Sequence, residues 1–179
     1  DEYKGEDAVF LDANENPFGK LNRYPDPYQK ELKTAISKIK GIEAEKIFLG
    51  NGSDEIIDLC FRIFCNPGVD KVLTFTPTYG MYAVSASVND IEVINVPLNM
   101  SFQIDLKKAE PLFQDKNLKL IFICSPNNPT ANSMNYDDVE FIISKFEGIV
   151  LVDEAYIDFS AKPSLIKLVD SYPNLILMH

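Results

Sequence analysis

Histidine is almost missing from this sequence. Its one copy, His179, is the last of the 179 residues, so a Ser–His or Cys–His couple and a histidine-rich zinc site have too little to be built from. Cysteine is scarce too. Cys60, Cys65 and Cys124 are odd in number and lack metal-ligand spacing, which fits small buried hydrophobes in a reducing cytoplasm. There is no G-x-G-x-x-G, and no glycine is followed by Lys and then Ser or Thr. A dinucleotide fingerprint and a P-loop are therefore excluded, and "IVLVDEAY", which has the look of a Walker B strand, lacks the companion that such a strand needs. Basic residues are outnumbered 17 to 27, for a net charge of −10. That argues against nucleic-acid and anionic-membrane partners, though one phosphate could still be held locally. No apolar run is long enough for a membrane span, and the acidic start "DEYKGED" is not expected to be a signal peptide.

What is present has the balance of an ordinary globular domain with an added arm: 46% apolar and 25% charged. "LDANENPFGKLNRYPDP" has little periodicity and reads as extended. Asp26 as N-cap, Pro27 at the first helical position and Gly41 at the end predict a helix over "PYQKELKTAISKIK". From there strands and helices alternate. "KIFLG", "KVLTF", "IEVINVP", "LKLIFIC", "GIVLVD" and "NLILM" are expected strands. The helices expected between them start at Ser53 and cover "GMYAVSASV", "DLKKAEPLF" (cut short or kinked by Pro111), "NYDDVEFIISKF" and a short piece around 163–171. Such alternation predicts an α/β protein with a largely parallel sheet. The last strand has no crossover after it, so the chain is expected to be a fragment.

In open α/β sheets the ligand crevice lies beyond the carboxyl ends of the strands. Four unusual segments are expected there: "GNGSDE", "TPTYG", "SPNNPT" and "DEAY". Each also has a plain reading. "GNGSDE" is either a phosphate seat at a helix N-terminus or a simple Ser53 cap with Asp54 and Glu55 in the first turn. Because those carboxylates would repel a phosphate, any contact is expected from backbone N–H groups. "SPNNPT" could be a rigid turn and Tyr79 could be packing. Asp153 and Glu154 could mark a strand's exit into solvent, yet an ionised carboxylate ending an apolar strand is costly unless something pairs with it. Four such segments at one edge suggest a site.

"LDANENPFG", "NRYPDP", "GNGSDEIIDL", "TPTYGMY", "SPNNPT" and "VDEAYIDF", in this order, resemble the pyridoxal-phosphate aminotransferases of fold type I, and within them most closely the histidinol-phosphate aminotransferases. The resemblance implies a three-layer α/β/α sandwich with a mostly parallel sheet. It also implies an N-terminal arm over 1–28 that belongs to the small domain and substrate lid. Residues 29–179 would be a truncated cofactor-binding large domain, and the C-terminal small domain would be absent. The implied cofactor is pyridoxal 5′-phosphate. Asp153 matches the aspartate that pairs with its protonated ring nitrogen, a charge-assisted bond that keeps the ring an electron sink. Tyr156 and Asn128 match the pair that bonds the phenolic oxygen, and Tyr79 the aromatic stacked on the ring. Ser53 and Asp54 match residues whose backbone N–H groups hold the phosphate. Tyr24 matches a tyrosine that reaches the neighbouring subunit's phosphate, which implies a homodimer. Asn16 lies in the arm that closes over substrate, and Asn128 also faces it.

Two departures from the family accompany these matches. Ala131 stands where the family usually has glycine, a place where a backbone needing positive φ would be strained. The family's Schiff-base lysine follows the strand that matches "NLILMH" and has no counterpart here; Arg23 and Arg62 do not match its substrate-gripping arginines. The implied activity is transfer of an amino group from histidinol phosphate to 2-oxoglutarate in histidine biosynthesis. The alternatives are a relative acting on another substrate (an aromatic aminotransferase or a phosphothreonine decarboxylase) and a non-catalytic cofactor-binding fragment.

Overall fold

The computed structural model describes Asn14, Asn16, Phe18 and residues 24–179. Most of the expected arm, Arg23 included, lies outside the described residues. The chain divides into two units, 1–48 and 49–179.

In the first unit, helix α1 runs over Lys30–Lys40 rather than from Pro27. Asp26 spends its carboxylate on the N–H groups of Tyr28 and Lys30, so residues 26–29 form a turn that delays the helix. Gly41 ends it as expected, at φ 70° with its N–H on the Ser37 carbonyl. The expected strand "KIFLG" is not formed. Ala44–Lys46 is a 3-10 turn, and residues 47–50 pair with no strand among the described residues. Phe48 within that stretch is exposed, so its apolar character does not report sheet burial.

The second unit holds one five-stranded sheet, all parallel, in the order β2-β1-β3-β4-β5. The strands are β1 (Lys71–Thr76), β2 (Glu92–Pro97), β3 (Leu118–Cys124), β4 (Ile149–Asp153) and β5 (Leu175–Met178). Helices α2 (Ser53–Phe64), α3 (Met81–Val88), α4 (Leu106–Ala109) and α5 (Tyr136–Lys145) accompany them. Pro111 acts as expected: α4 stops after one turn and continues as a 3-10 segment, Glu110–Gln114. The helix expected around 163–171 is only a 3-10 turn, Leu165–Leu168, entered through a Ser164 side-chain cap. Among the described residues no helix is long and apolar enough to cross a membrane.

The apolar strands run without polar alternation because both faces of the sheet are covered. Leu73, Ile121, Ile123, Val150 and Val152 pack on one face with Val139, Ile142 and Ile143 of α5. Val72, Leu120, Phe122 and Leu151 pack on the other with Ile57 and Phe61 of α2 and Tyr82 and Ala86 of α3. These are the three layers of the expected sandwich. Side chains alternate along a strand, so Asp153 shares the parity of Leu151 and faces α2 and α3. Strand order reverses between β1 and β3, which puts the crevice of such a sheet between the ends of those two strands.

Candidate functional site

The loops after β1 and β3 flank that reversal. They carry "TPTYG" and "SPNNPT", and Asn127 staples them together. Its side chain, 2% exposed, donates to the Pro77 carbonyl (2.9 Å) and to Thr130 Oγ1 (2.6 Å), and accepts from the Thr78 hydroxyl (3.0 Å). Ala131 closes the same loop at φ 60°, the left-handed conformation anticipated at this position, with its N–H on the Asn127 carbonyl.

Asp153 ends β4 and is 4% exposed. One carboxylate oxygen accepts from the Ala155 N–H (3.0 Å), and the other from the Tyr82 hydroxyl (2.6 Å). Burial raises its pKa above the ordinary aspartate value, and the two donors pull against that rise. So the solvent-exit reading of Asp153 fails, because the carboxylate is inside. Beside it, burial pushes the Cys124 thiol up to about 11, so that group stays neutral, and burial drives the Tyr82 phenol upward as well. Cys60 and Cys65 are likewise buried thiols.

Glu154 points away from Asp153's partners. Buried at 1% exposure, it accepts from the Leu165 N–H (2.9 Å) and lies 3.5 Å from His179 Nε2.

Tyr79 sits above this floor. Its ring meets Tyr82 edge-on at 5.6 Å, and its hydroxyl donates to Asp54 (3.1 Å) at the start of α2. That bond ties "GNGSDE" to the strand-end loops although the segment follows no strand. Gly52, at φ 81°, is the N-cap, and Ser53 is the first helical residue rather than the cap. Glu55 folds back onto the backbone and side-chain N–H groups of Asn51. Both carboxylates are thus engaged sideways, and the orphan N–H groups of the first turn are what the helix end offers a ligand.

Asn128 and Tyr156 line one cavity of about 460 Å³ with Pro126, Ser133 and Phe159. Tyr156 is 48% exposed. Asn16 and Tyr24 belong to the 1–48 unit. Asn16 Oδ1 accepts from the Phe18 N–H (3.0 Å), and Tyr24 is exposed. A second cavity, of about 440 Å³, lies at the opposite end of the strands, lined by Asp70, Asp90 and Glu92 among others, and holds none of these residues.

Residues 2–179 match the model of aminotransferase class I and II. The chain belongs to that family. It is similar to the histidinol-phosphate aminotransferase of Cytophaga hutchinsonii, 52% identical over 183 residues that cover 99% of this chain and 52% of the relative. It is 55% identical over 179 residues to that of Bacteroides thetaiotaomicron, covering 99% and 51%. The crystal structure of the histidinol-phosphate aminotransferase from Clostridium acetobutylicum matches it with a TM-score of 0.76 at 25% identity, over 87% of this chain and 46% of that one. The chain spans about half the length of the curated relatives it matches.

Within this aminotransferase fold, Tyr79 and Tyr82 link Asp54 to Asp153, and Asn128 and Tyr156 meet in one cavity. Tyr82 and Asn127 escaped the sequence reading. Asn127 was hidden as half of an Asn–Asn pair. Tyr82 had a faint signal: a tyrosine, rather than a phenylalanine, on the buried face of a helix needs a partner for its hydroxyl.

Proposed function

We propose that this chain is the cofactor-binding large domain of a longer pyridoxal-phosphate-dependent aminotransferase. Its reaction would move the amino group of histidinol phosphate to 2-oxoglutarate, giving imidazole acetol phosphate and glutamate in histidine biosynthesis. The observation that carries the reading is Asp153: a buried carboxylate at the end of a central strand, with one donor on each oxygen and acceptor capacity left over. Such a group is costly until a cation meets it, and a protonated pyridine nitrogen is one. The relatives at 52% and 55% identity support the choice of histidinol phosphate as substrate.

The residues present fit the cofactor. Asp153 would hold the proton on the ring nitrogen, Tyr79 would cover the ring, and Tyr156 with Asn128 would donate to its phenolic oxygen. The N–H groups at Ser53 and Asp54 would receive the phosphate. When bound, pyridoxal phosphate supplies an electron sink for the bond broken at the substrate's α-carbon. Tyr24 would reach the phosphate of a neighbouring subunit, making the enzyme a homodimer, and Asn16 would lie against substrate in an arm spanning 1–28. Residues 29–179 would form the large domain. The covalently binding lysine, the substrate-gripping arginines and the small domain would come from sequence outside this chain. A cytoplasmic location suits the three buried thiols.

The test is a substrate comparison on the full-length protein with pyridoxal phosphate and 2-oxoglutarate. Glutamate formation should be fastest by kcat/KM with histidinol phosphate, ahead of phenylalanine and tyrosine, with no decarboxylation of phosphothreonine. A preference for an aromatic amino acid, or phosphothreonine decarboxylation, would overturn the substrate assignment.

A further inference from the structure

Tyr82 is 1% exposed and could be a plain core aromatic. Its ring stacks on Phe122 of β3 at 4.7 Å and an interplanar angle of 16°. A phenylalanine would fill that space equally well. The hydroxyl is the unexplained part, since a buried O–H is costly unless it has a partner. It finds one 71 residues away in sequence, in Asp153 Oδ2 at 2.6 Å.

The second oxygen of Asp153 is held by the Ala155 N–H, a main-chain donor two residues further along. One bond would leave the carboxylate able to swing about its terminal torsion, which is broad for aspartate. Two bonds from different elements fix its plane. The remaining groups around Asp153 cannot take over this work. Cys124, its register partner on β3, is a neutral thiol whose Sγ–H points to the Pro126 carbonyl at 3.4 Å; Met178, its partner on β5, is apolar; and the Tyr79 hydroxyl is committed to Asp54.

We propose that Tyr82 is a positioning residue: its hydroxyl holds the Asp153 carboxylate in one plane and in its anionic form, so that a cofactor's ring nitrogen, not the aspartate, keeps the shared proton. The proposal rests on the reading of Asp153 as the partner of pyridoxal phosphate. A donor to a carboxylate makes it a weaker base, and without that donor a desolvated aspartate competes harder for the proton. Phe122 supports the arrangement by gripping the tyrosine ring.

The experiment uses the full-length holoenzyme loaded with pyridoxal phosphate labelled with ¹⁵N in the ring, comparing wild type, Tyr82→Phe and a protein carrying 3-fluorotyrosine at position 82. The ¹⁵N shift reads where the proton sits, and a fluorescence titration reads cofactor affinity. Wild type should show a protonated ring nitrogen. Tyr82→Phe should move the shift towards the unprotonated value and weaken binding about tenfold, the equivalent of one pKa unit. The fluorinated, more acidic phenol keeps the fold and should move the shift the other way or leave it fully protonated, with binding at least as tight. A ring nitrogen equally protonated in wild type and Tyr82→Phe would overturn the role of Tyr82 and leave the cofactor reading standing. If Tyr82→Phe does not fold, a fluorinated protein with a less protonated ring nitrogen or weaker binding than wild type overturns it. An unprotonated nitrogen, or no binding, in wild type would overturn the cofactor reading itself.

Discussion

Asp153 is a carboxylate that the apoprotein holds at a cost, and that cost depends on pH. Its folded-state pKa lies above the ordinary 3.8, with burial as the leading cause. Below 3.8 both folded and unfolded states carry the proton and the folded protein bears no charge penalty at this site. Between 3.8 and the raised value the folded state holds more protons than the unfolded one, so stability falls as pH rises. Comparing denaturant unfolding of apoprotein and Asp153→Asn from pH 4 to 8 isolates this group. Wild-type stability relative to the variant should decline with rising pH, whereas a flat difference would mean that the carboxylate is not penalised. Ala131 gives a second test at this scale. An L-residue at φ 60° bears roughly 1–2 kcal/mol of strain, partly offset by the stiffer unfolded chain of alanine relative to glycine. Ala131→Gly should therefore raise stability by about 0.5–1 kcal/mol in the same unfolding assay, and a loss of stability would contradict the strain. The sequence made Ala131 suspect only through family resemblance, since nothing in "PTANS" announces the sign of φ.

At the scale of elements, the N-terminus of α2 carries the claim about phosphate. Sequence pattern placed this helix start at Ser53 by reading Ile56, Ile57, Cys60, Ile63 and Phe64 as one face; the structure starts the helix there but buries Ile57, Cys60 and Phe61 and leaves Ile63 exposed. The pattern misplaced the strand before the helix, because a three-residue apolar run, Ile47 to Leu49, does not reveal whether a neighbouring strand exists to pair with it. The same limit applies to α1, whose start shifted when Asp26 bonded locally instead of capping the helix. With Ser53 at the first helical position, proline is geometrically welcome there and removes one N–H without breaking the helix. Ser53→Ala should weaken pyridoxal-phosphate affinity by about 1 kcal/mol or less, the worth of one neutral hydroxyl contact. Ser53→Pro should weaken it substantially more while the melting temperature holds. Equal, mild effects in a fluorescence titration would place the phosphate elsewhere.

At the scale of the molecule, the all-parallel sheet and its two covered faces were legible because unbroken apolar strands alternating with amphipathic helices leave few other architectures. Strand order was not legible, and it is strand order that brings the β1 and β3 loops together. Nor does the strand pattern tell which layer Asp153 faces; the packing of α3 against β3 settles that and supplies Tyr82. The fold thus delivers a carboxylate into an aromatic, water-poor setting where charge is worth more than at the surface. The most direct test is steady-state turnover of histidinol phosphate with 2-oxoglutarate by the full-length protein and its Asp153→Asn variant, each with saturating pyridoxal phosphate. The variant should still bind the cofactor, while its kcat falls on the order of 10³-fold or more through lost charge stabilisation. Turnover by Asp153→Asn close to that of the wild type would contradict the account at its centre.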